Sequence, residues 1–287
     1  MEQEKLPPGT LFICATPIGN LEDITLRVLR VLRQADFIAA EDTRHTRRLL
    51  NHFEIDTPAV SYHEHNQKSS GEAIIRRLLS GETCAVVTDA GMPGISDPGE
   101  DIIRLCHERN IPVTVCPGAT AVITALVLSG LPTRRYCFEG FLPQDKRACR
   151  EALGQLASET RTIVLYEAPH RLTDTLALLL QAFGDRPAAV IRELTKKHET
   201  VHRGALTELL AAFQENAPKG ELVLVIKGEE ASVIKQAEQA QWKDMPLDEH
   251  MAIYLSQGLD QKEAMKLAAK DRGVSKRDIY KACLEKR

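Results

Sequence analysis

The stretch from Val86 to Gly99, VVTDAGMPGISDPG, most constrains how this chain can fold. A short apolar run, 85–87, ends in Thr88 and Asp89 and leads into a loop with three glycines and two prolines. This arrangement is typical of a buried strand in a parallel α/β sheet. Ligands of open α/β sheets bind in the crevice outside the carboxyl ends of the strands. The stretch therefore predicts a binding loop, although a single loop of this kind is equally typical of an ordinary turn.

The same pattern occurs twice more. An apolar run at 113–115 is followed by Cys116-Pro117-Gly118-Ala119-Thr120-Ala121, and the run at 11–15 leads into Thr16-Pro17-Ile18-Gly19-Asn20. The carboxyl ends of parallel strands lie at one edge of a sheet, so we expect the three loops to frame one pocket.

Apolar runs and segments of helical periodicity alternate through the first half of the chain. This alternation predicts a largely parallel sheet covered by helices on both faces. We expect Asp23 to be the N-cap of the first helix. The expected strands are 11–15, 37–40, 60–62, 85–87 and 113–115.

The pattern breaks near Gly130-Leu131-Pro132, where we expect a domain boundary. The predicted organisation is an N-terminal α/β domain over 1–130, a second α/β domain over 131–230 and a helical basic tail over 231–287. In the tail, a turn at 273–275 leads into a basic helix, which is typical of a helix-turn-helix or of a plain solvated appendage. The strands expected in the second domain are 136–141, 162–166, 188–192 and 221–226, and its helices are 146–157, 172–183 and 206–213.

Composition narrows the class of protein. A hydrophobic content of 43% suits a globular protein, and no apolar run approaches the ~20 residues of a membrane span. The acidic N-terminus argues against a secretory signal, and the seven cysteines form no CxxC pair. We therefore expect a cytoplasmic protein with no membrane association. The net charge of −3 means that any basic surface must be local.

Several common site types are absent from the sequence. It contains no GxGxxG, P-loop, HExxH or GxSxG motif. His63 and His65 flank Glu64, a spacing that is compatible with a metal or general-base site but is more typical of a solvated loop. We expect no metal centre.

Eight segments together resemble one family. They are ATPIGNLEDIT at 15–25, AEDTRHT at 40–46, SYHEHN at 61–66, TDAGMPGISDPG at 88–99, CPGATA at 116–121, FEGFLP at 138–143, YEAPHR at 166–171 and RELTKKHE at 192–199. In this combination they resemble the ribosomal RNA small-subunit methyltransferase I group of the tetrapyrrole methylase superfamily. The resemblance implies two α/β domains of the class III methyltransferase type, with S-adenosylmethionine bound between them. It also implies a homodimer and methyl transfer to the 2′-hydroxyl of a cytidine in 16S rRNA of the small ribosomal subunit.

The resemblance also assigns cofactor contacts by position. They fall in the three loops and at the start of the second domain. The residues are Pro17, Ile18, Asp89, Gly91, Met92, Pro93, Asp97, Pro98, Gly99, Thr120, Ala121, Leu142 and Ala168.

The catalytic group is not evident from any motif. A ribose hydroxyl is a weak nucleophile, so a base or a cation beside it would help. Glu41, Asp42 and Arg44 follow a predicted strand and form our first hypothesis, against the alternative of a simple helix cap with carboxylates that match the helix dipole. Glu193 and Lys196 are second candidates.

Phosphate contacts require exposed cations. The candidates are Arg44, Arg47, Arg48, Lys146, Arg147, Arg171, Lys276 and Arg277. Two other functions stay open at this point: methylation of a tetrapyrrole or a protein side chain, and a non-catalytic RNA-binding assembly factor.

Overall fold

The computed structural model describes residues 5–216 and 218–285. The first half forms a five-stranded sheet of order β3-β2-β4-β1-β5, in which every pairing is parallel. Its strands are β1 (Leu11–Cys14), β2 (Phe37–Ala40), β3 (Ala59–Ser61), β4 (Cys84–Val87) and β5 (Val113–Cys116). The helices of this half are α1 (Leu26–Gln34), α2 (Thr43–His52), α3 (Gln67–Leu79), α4 (Glu100–Glu108) and α5 (Ala121–Ser129).

Helices cover both faces of this sheet. Helices α1 and α2 pack on one face, where Val28, Val31 and Leu50 are buried. Helices α3 and α4 pack on the other face, where Ile75 and Ile102 are buried. Successive strand residues point to opposite faces, so each strand contributes to both cores. The predicted parallel sheet with two helical layers is confirmed.

The N-cap predicted for the first helix is wrong. Asp23 lies in a short 3-10 helix, Leu21–Asp23, which precedes α1. Thr25 caps α1, because its hydroxyl oxygen accepts a hydrogen bond from the Val28 amide at 3.2 Å. A threonine hydroxyl at that position satisfies an otherwise unpaired amide of the first turn.

The second sheet has the order β6-β7-β10-β8-β9 and is mixed. Only β6 and β7 pair in parallel, and the other pairings are antiparallel. Its strands are β6 (Tyr136–Phe141), β7 (Thr162–Glu167), β8 (Pro187–Arg192), β9 (Thr200–Ala205) and β10 (Leu222–Ile226). Helices α6 (Lys146–Leu156), α7 (Leu172–Phe183) and α8 (Leu206–Glu215) bury their apolar residues on one face.

Helix α5 covers the opposite face of the second sheet. Its residues Val122, Ala125 and Leu126 pack with Ala189 and Val223 of that sheet. The helix therefore follows the last strand of the first sheet in the chain but belongs to the core of the second. The predicted division at 130/131 falls directly after it.

The C-terminal part is helical, as predicted. It comprises α9 (Ala231–Asp244), α10 (Leu247–Ser256), α11 (Gln261–Arg272) and α12 (Lys276–Glu285). Met251, Ala268 and Ile279 are buried in a small core of this unit. A three-residue turn joins α11 and α12. No helix in the described part of the chain has the length and hydropathy needed to cross a membrane.

Candidate active-site cleft

A cavity of about 690 Å³ lies between the carboxyl edge of the first sheet and the second sheet. Most of its surface is apolar, and Asp97, Glu167 and Glu221 are the acidic residues that line it. Cavities of this size and character commonly hold small organic ligands. The other lining residues are Ile18, Ala90, Gly91, Met92, Ile95, Ser96, Thr120, Ala121, Val122, Ile123, Tyr136, Phe138, Phe141, Tyr166, Ala168, Pro169, Gly220, Leu222 and Val223.

The loops after β1 and β4 are joined by main-chain hydrogen bonds. The Thr16 amide donates to the Gly91 carbonyl at 2.9 Å, and the Gly91 amide donates to the Thr16 carbonyl at 3.1 Å. The Thr16 hydroxyl donates to the Thr88 carbonyl at 3.1 Å. Gly91 has φ +83°, a conformation that glycine adopts without steric cost. These contacts hold the two loops together as one wall of the cavity.

The loop after β5 completes the cavity wall that the loops after β1 and β4 form. A Cβ on Gly118 would lie 2.9 Å from the Cβ of Ala15, so the two loops approach as closely as glycine allows. Thr120 then caps α5, since its hydroxyl oxygen accepts from the Ile123 amide at 3.3 Å.

An aromatic wall from the second sheet faces these loops. The ring of Tyr166 lies 4.9 Å from that of Phe138 and 5.6 Å from that of Phe141. A register shift between Phe138 and Gly140 turns the end of β6 towards the first domain, where a Cβ on Gly140 would lie 3.3 Å from the Ser96 hydroxyl. Sequence reasoning missed this wall, although its residues lie within two of the quoted segments.

The part of the cavity wall that the second domain contributes contains the buried carboxylate of Glu167. The Thr175 hydroxyl and the Ala168 amide both donate to Glu167, the latter at 2.7 Å. Arg171 lies 3.6 Å from this carboxylate and also donates to the Leu142 carbonyl at 3.2 Å. These bonds fix the cavity wall at Ala168.

The cofactor contacts assigned by position divide into two groups. Ile18, Gly91, Met92, Asp97, Thr120, Ala121 and Ala168 line the cavity. Pro17, Asp89, Pro93, Pro98, Gly99 and Leu142 are not among its lining residues. The latter support its loops or, in the case of Leu142, lie buried beneath its wall.

The carboxylates of Glu41, Asp89 and Asp97 lie near one another at the edge of the first sheet. The Asp89 amide donates to Glu41 at 3.4 Å, and the Asp42 amide donates to the Asp89 carboxylate at 3.3 Å. Burial and the neighbouring charges of Glu41 and Asp89 raise the pKa of Asp97 to about 6. Burial and the negative charge of Asp89 raise the pKa of Glu41 from its ordinary value, while the Asp89 amide opposes that shift. Both groups therefore exchange protons more readily near neutral pH than ordinary carboxyls.

Asp42 and Arg44 have a different role. The Asp42 carboxylate accepts from the Arg44 amide at 2.8 Å and caps α2. It also pairs with the Arg44 guanidinium at 3.0 Å, and these bonds lower the pKa of Asp42 to about 2. Such a carboxylate is a weak base. Of the three first-rank candidates, Glu41 alone combines a raised pKa with freedom from a capping bond.

Glu193 and Lys196 form an ion-paired clasp within the second domain, and this clasp packs against the loop after β1 in the first domain. The Lys196 ammonium lies 2.9 Å from Glu193 and 3.3 Å from Glu221, which lines the cavity. The Glu193 carboxylate also accepts from the Glu221 amide at 2.9 Å, and the pKa of Glu193 is lowered. A Cβ on Gly19 would lie 2.4 Å from the Lys196 side chain, so the lysine covers the loop after β1.

The two histidines lie at the margin of the acidic group. Their rings are 6.0 Å apart, and His63 partly opposes the rise that burial causes in the pKa of Glu41. Among the described residues, no group of histidine, cysteine, aspartate and glutamate could hold a metal ion.

The cations predicted to contact phosphate lie in four places. Arg44, Arg47 and Arg48 are exposed on α2, which begins at the sheet edge beside the cavity. Lys146 and Arg147 are exposed on α6, where Arg147 pairs with Glu151 at 2.9 Å. Lys276 and Arg277 are exposed at the start of α12, and Arg171 is held in the cavity wall as described.

Comparisons with known proteins identify a matching family, similar sequences and a similar fold. The family model for Tetrapyrrole (Corrin/Porphyrin) Methylases matches residues 10–210. The chain is 47% identical to Ribosomal RNA small subunit methyltransferase I of Halalkalibacterium halodurans, over 97% of this chain and 96% of that protein. It is 45% identical to the protein of the same name from Bacillus subtilis, over 96% of this chain and 94% of the relative. The crystal structure of a uroporphyrin-III-C-methyltransferase from Thermus thermophilus shares the fold, with a TM-score of 0.55, 22% identity and coverage of 76% of this chain and 94% of that one.

Proposed function

The chain belongs to the tetrapyrrole methylase family and, within it, to the ribosomal RNA small subunit methyltransferase I family, and on that premise we propose that it methylates 16S rRNA within the small ribosomal subunit. Members of this family use S-adenosylmethionine, and this chain is an S-adenosylmethionine-dependent methyltransferase. The position we propose for the methyl group is the 2′-oxygen of a cytidine. The observation that carries the proposal is an identity of 47% over 97% of the chain, which includes the loops of the cleft and the C-terminal helices.

The cleft suits S-adenosylmethionine in chemistry and size. That molecule carries a positive sulfonium, an amino acid group and an adenine, and when bound it supplies an electrophilic methyl group. The cavity of about 690 Å³ offers apolar walls, exposed main-chain groups in glycine loops and the Asp97 carboxylate. We assign binding to the lining residues Ile18, Gly91, Met92, Asp97, Thr120, Ala121 and Ala168. Pro17, Asp89, Pro93, Pro98, Gly99 and Leu142 are proposed to hold those residues in place.

Glu41 is the residue we propose as the proton acceptor for the ribose hydroxyl. Its half-buried carboxylate lies at the sheet edge, and burial raises its pKa. General-base assistance is typically worth ~10²- to 10⁴-fold in rate. Asp42 and Arg44 are proposed to fix the start of α2 beside it, and Glu193 and Lys196 to hold the second domain against the first.

RNA requires phosphate contacts, which we propose that the exposed arginines and lysines of α2, α6 and α12 provide. Arg171 is the exception, because its guanidinium is already bound to Glu167 and the Leu142 carbonyl.

We also propose that the protein is a cytoplasmic homodimer, as the family resemblance implies. Val127 is exposed on α5, a helix without charged residues, one turn beyond the cavity-lining Ile123. An exposed apolar side chain at this position is compatible with burial against a second copy.

The proposal is tested by offering purified protein and S-adenosylmethionine to three acceptors in parallel. The acceptors are small ribosomal subunits from a strain that lacks this protein, a uroporphyrinogen, and total soluble protein of that strain. Methyl transfer to the subunits alone supports the proposal. Transfer to the tetrapyrrole or to protein would support the other catalytic class, and cofactor binding without any transfer would support an assembly factor.

A further inference from the structure

The two helical layers of the first sheet differ sharply in charge. Helices α1 and α2 contain six arginines and no acidic residue, although the whole chain has a net charge of −3. Helices α3 and α4, on the opposite face, contain four lysines or arginines and four acidic residues. Positive charge is therefore concentrated on one side of the first domain.

The two helical layers also differ in how many of their arginines form ion pairs. On the opposite face, Arg77 and Arg104 pair with glutamates at 2.5 and 2.6 Å. On α1, neither Arg27 nor Arg30 has an ion pair with any residue that the structure describes. The same holds for the exposed Arg47 and Arg48 of α2 within the described ranges.

The arginines of α1 lie along one side of the helix. Arg27, Arg30 and Arg33 are spaced three residues apart, and residues at that spacing are neighbours on a helix surface. Arg33 donates to the Phe53 carbonyl at 3.1 Å, which fixes α1 beside the end of α2. Within residues 5–216 and 218–285, neither Arg27 nor Arg30 donates to such an acceptor.

Both helices begin at the sheet edge that borders the cavity. Helix α1 follows the loop after β1, and α2 follows Glu41 and Asp42 at the end of β2. Each helix runs away from the cleft, so their arginines extend from its mouth along the outside of the domain. Arg44 pairs with Asp42, but the other five arginines of this layer have no ion pair with a described residue. A cationic layer of this kind is complementary to a nucleic-acid backbone.

We propose that α1, together with α2, forms a binding face for the phosphates of the RNA that flanks the methylated nucleotide, with Arg27 and Arg30 as direct contacts. This proposal rests on the proposed function and adds a second helix to the surface that the RNA covers. RNA phosphates here serve to position the substrate, while selection of the nucleotide belongs to the cleft.

The test compares two variants of matched charge. Arg27→Gln/Arg30→Gln removes two cations from α1, and Lys68→Gln/Arg76→Gln removes two exposed cations from α3 on the opposite face. Glutamine keeps good helix propensity at all four positions. Binding to small ribosomal subunits from a strain that lacks this protein is measured by fluorescence anisotropy of the labelled protein over a KCl series at constant Mg²⁺, and S-adenosylmethionine binding is measured by calorimetry.

We expect the α1 variant to reduce the slope of log affinity against log [KCl] by roughly 1.4–1.8, at ~0.7–0.9 per lost phosphate contact. Its affinity for the subunits at 0.15 M KCl should fall roughly tenfold or more, while cofactor affinity stays unchanged. The α3 variant should bind like the wild type. Wild-type slope and affinity in the α1 variant would overturn the inference, and so would equal losses in both variants. Failure of the wild-type protein to bind the subunits would instead contradict the proposed function, and the inference with it.

Discussion

The Asp89 amide donates a hydrogen bond to the carboxylate of Glu41, at 3.4 Å, between the loops that follow β4 and β2. This bond ties the glutamate to the long glycine-rich loop of the cleft. Asp97, on the same loop, is close enough for its pKa to respond to the charge of Glu41. The proposed proton acceptor and the cavity wall are thus parts of one hydrogen-bonded unit.

Replacement of Glu41 by glutamine tests its proposed role. Glu41→Gln keeps the size of the side chain and can still accept from the Asp89 amide, but it cannot take up a proton. We expect kcat to fall by at least ~10²-fold, with the Kd for S-adenosylmethionine unchanged. Glu108→Gln, on the far side of the sheet, is the control. A Glu41→Gln protein that folds, binds cofactor and methylates at the wild-type rate would remove Glu41 from the mechanism.

The pKa of about 6 at Asp97 predicts a pH-dependent affinity for the cofactor. An ionised carboxylate attracts the sulfonium, and protonation below pH 6 removes that attraction. Affinity for S-adenosylmethionine should therefore fall as the pH is lowered from 7 to 5, and Asp97→Asn should abolish this dependence. Calorimetry at several pH values measures it, with the exposed Asp56→Asn as the control. S-adenosylhomocysteine, which lacks the sulfonium charge, should respond less, and an equal response of both ligands would contradict the assignment.

Gly220 is predicted to be intolerant of a side chain. It has φ +90°, and a Cβ there would lie 2.3 Å from the Glu193 carboxylate oxygen. We expect Gly220→Ala to lower the free energy of unfolding by about 1–3 kcal/mol and to weaken cofactor binding, because the clasp with Lys196 is displaced. Gly154→Ala is the matched control: it lies within α6, and its added Cβ would have no described atom within 4 Å apart from its chain neighbours and the backbone of its own helix. Urea unfolding should show a gain of roughly 0.5–1 kcal/mol for that control. Equal stability of the two variants would refute the argument.

The basic start of α12 is expected to contribute to RNA binding. Lys276→Gln/Arg277→Gln leaves the cap of this helix intact, because Ser275 and Asp278 still bond to each other's amides, each at 3.2 Å. The salt slope for 16S rRNA binding should fall by roughly 1.4–1.8, without a change in thermal stability. Lys227→Gln/Lys235→Gln, at the start of the C-terminal helical part, is the control. An unchanged slope would show that Lys276 and Arg277 do not contact the RNA.

The strands and helices of the core could be predicted from the sequence because their burial leaves a pattern. The expected segments 37–40, 136–141 and 172–183 coincide with β2, β6 and α7. Strand β9 escaped prediction because it lies at a sheet edge, where none of its residues is fully buried and no apolar run results. The order of the strands depends on contacts distant in sequence, and no local pattern encodes it.

The site was predictable to a similar extent. Three loops after parallel strands were expected to meet, and in the structure Thr16, Gly91 and Gly118 lie in loops that contact one another. Which residue of a loop faces the cavity depends on backbone conformation, so Ile18 and Asp97 line it whereas Pro17 and Asp89 do not. The aromatic wall depends on the register shift at Gly140, which is a property of strand pairing rather than of the local sequence.

The central claim is tested most directly by the identity of the methylated nucleoside. Small subunits from a strain lacking this protein would be incubated with the protein and labelled S-adenosylmethionine, and the RNA would be digested and analysed by mass spectrometry. We predict that the label appears in 2′-O-methylcytidine from 16S rRNA, and that Glu41→Gln greatly reduces it. Label in a base-methylated nucleoside, or no label in RNA despite measurable cofactor binding, would contradict the account.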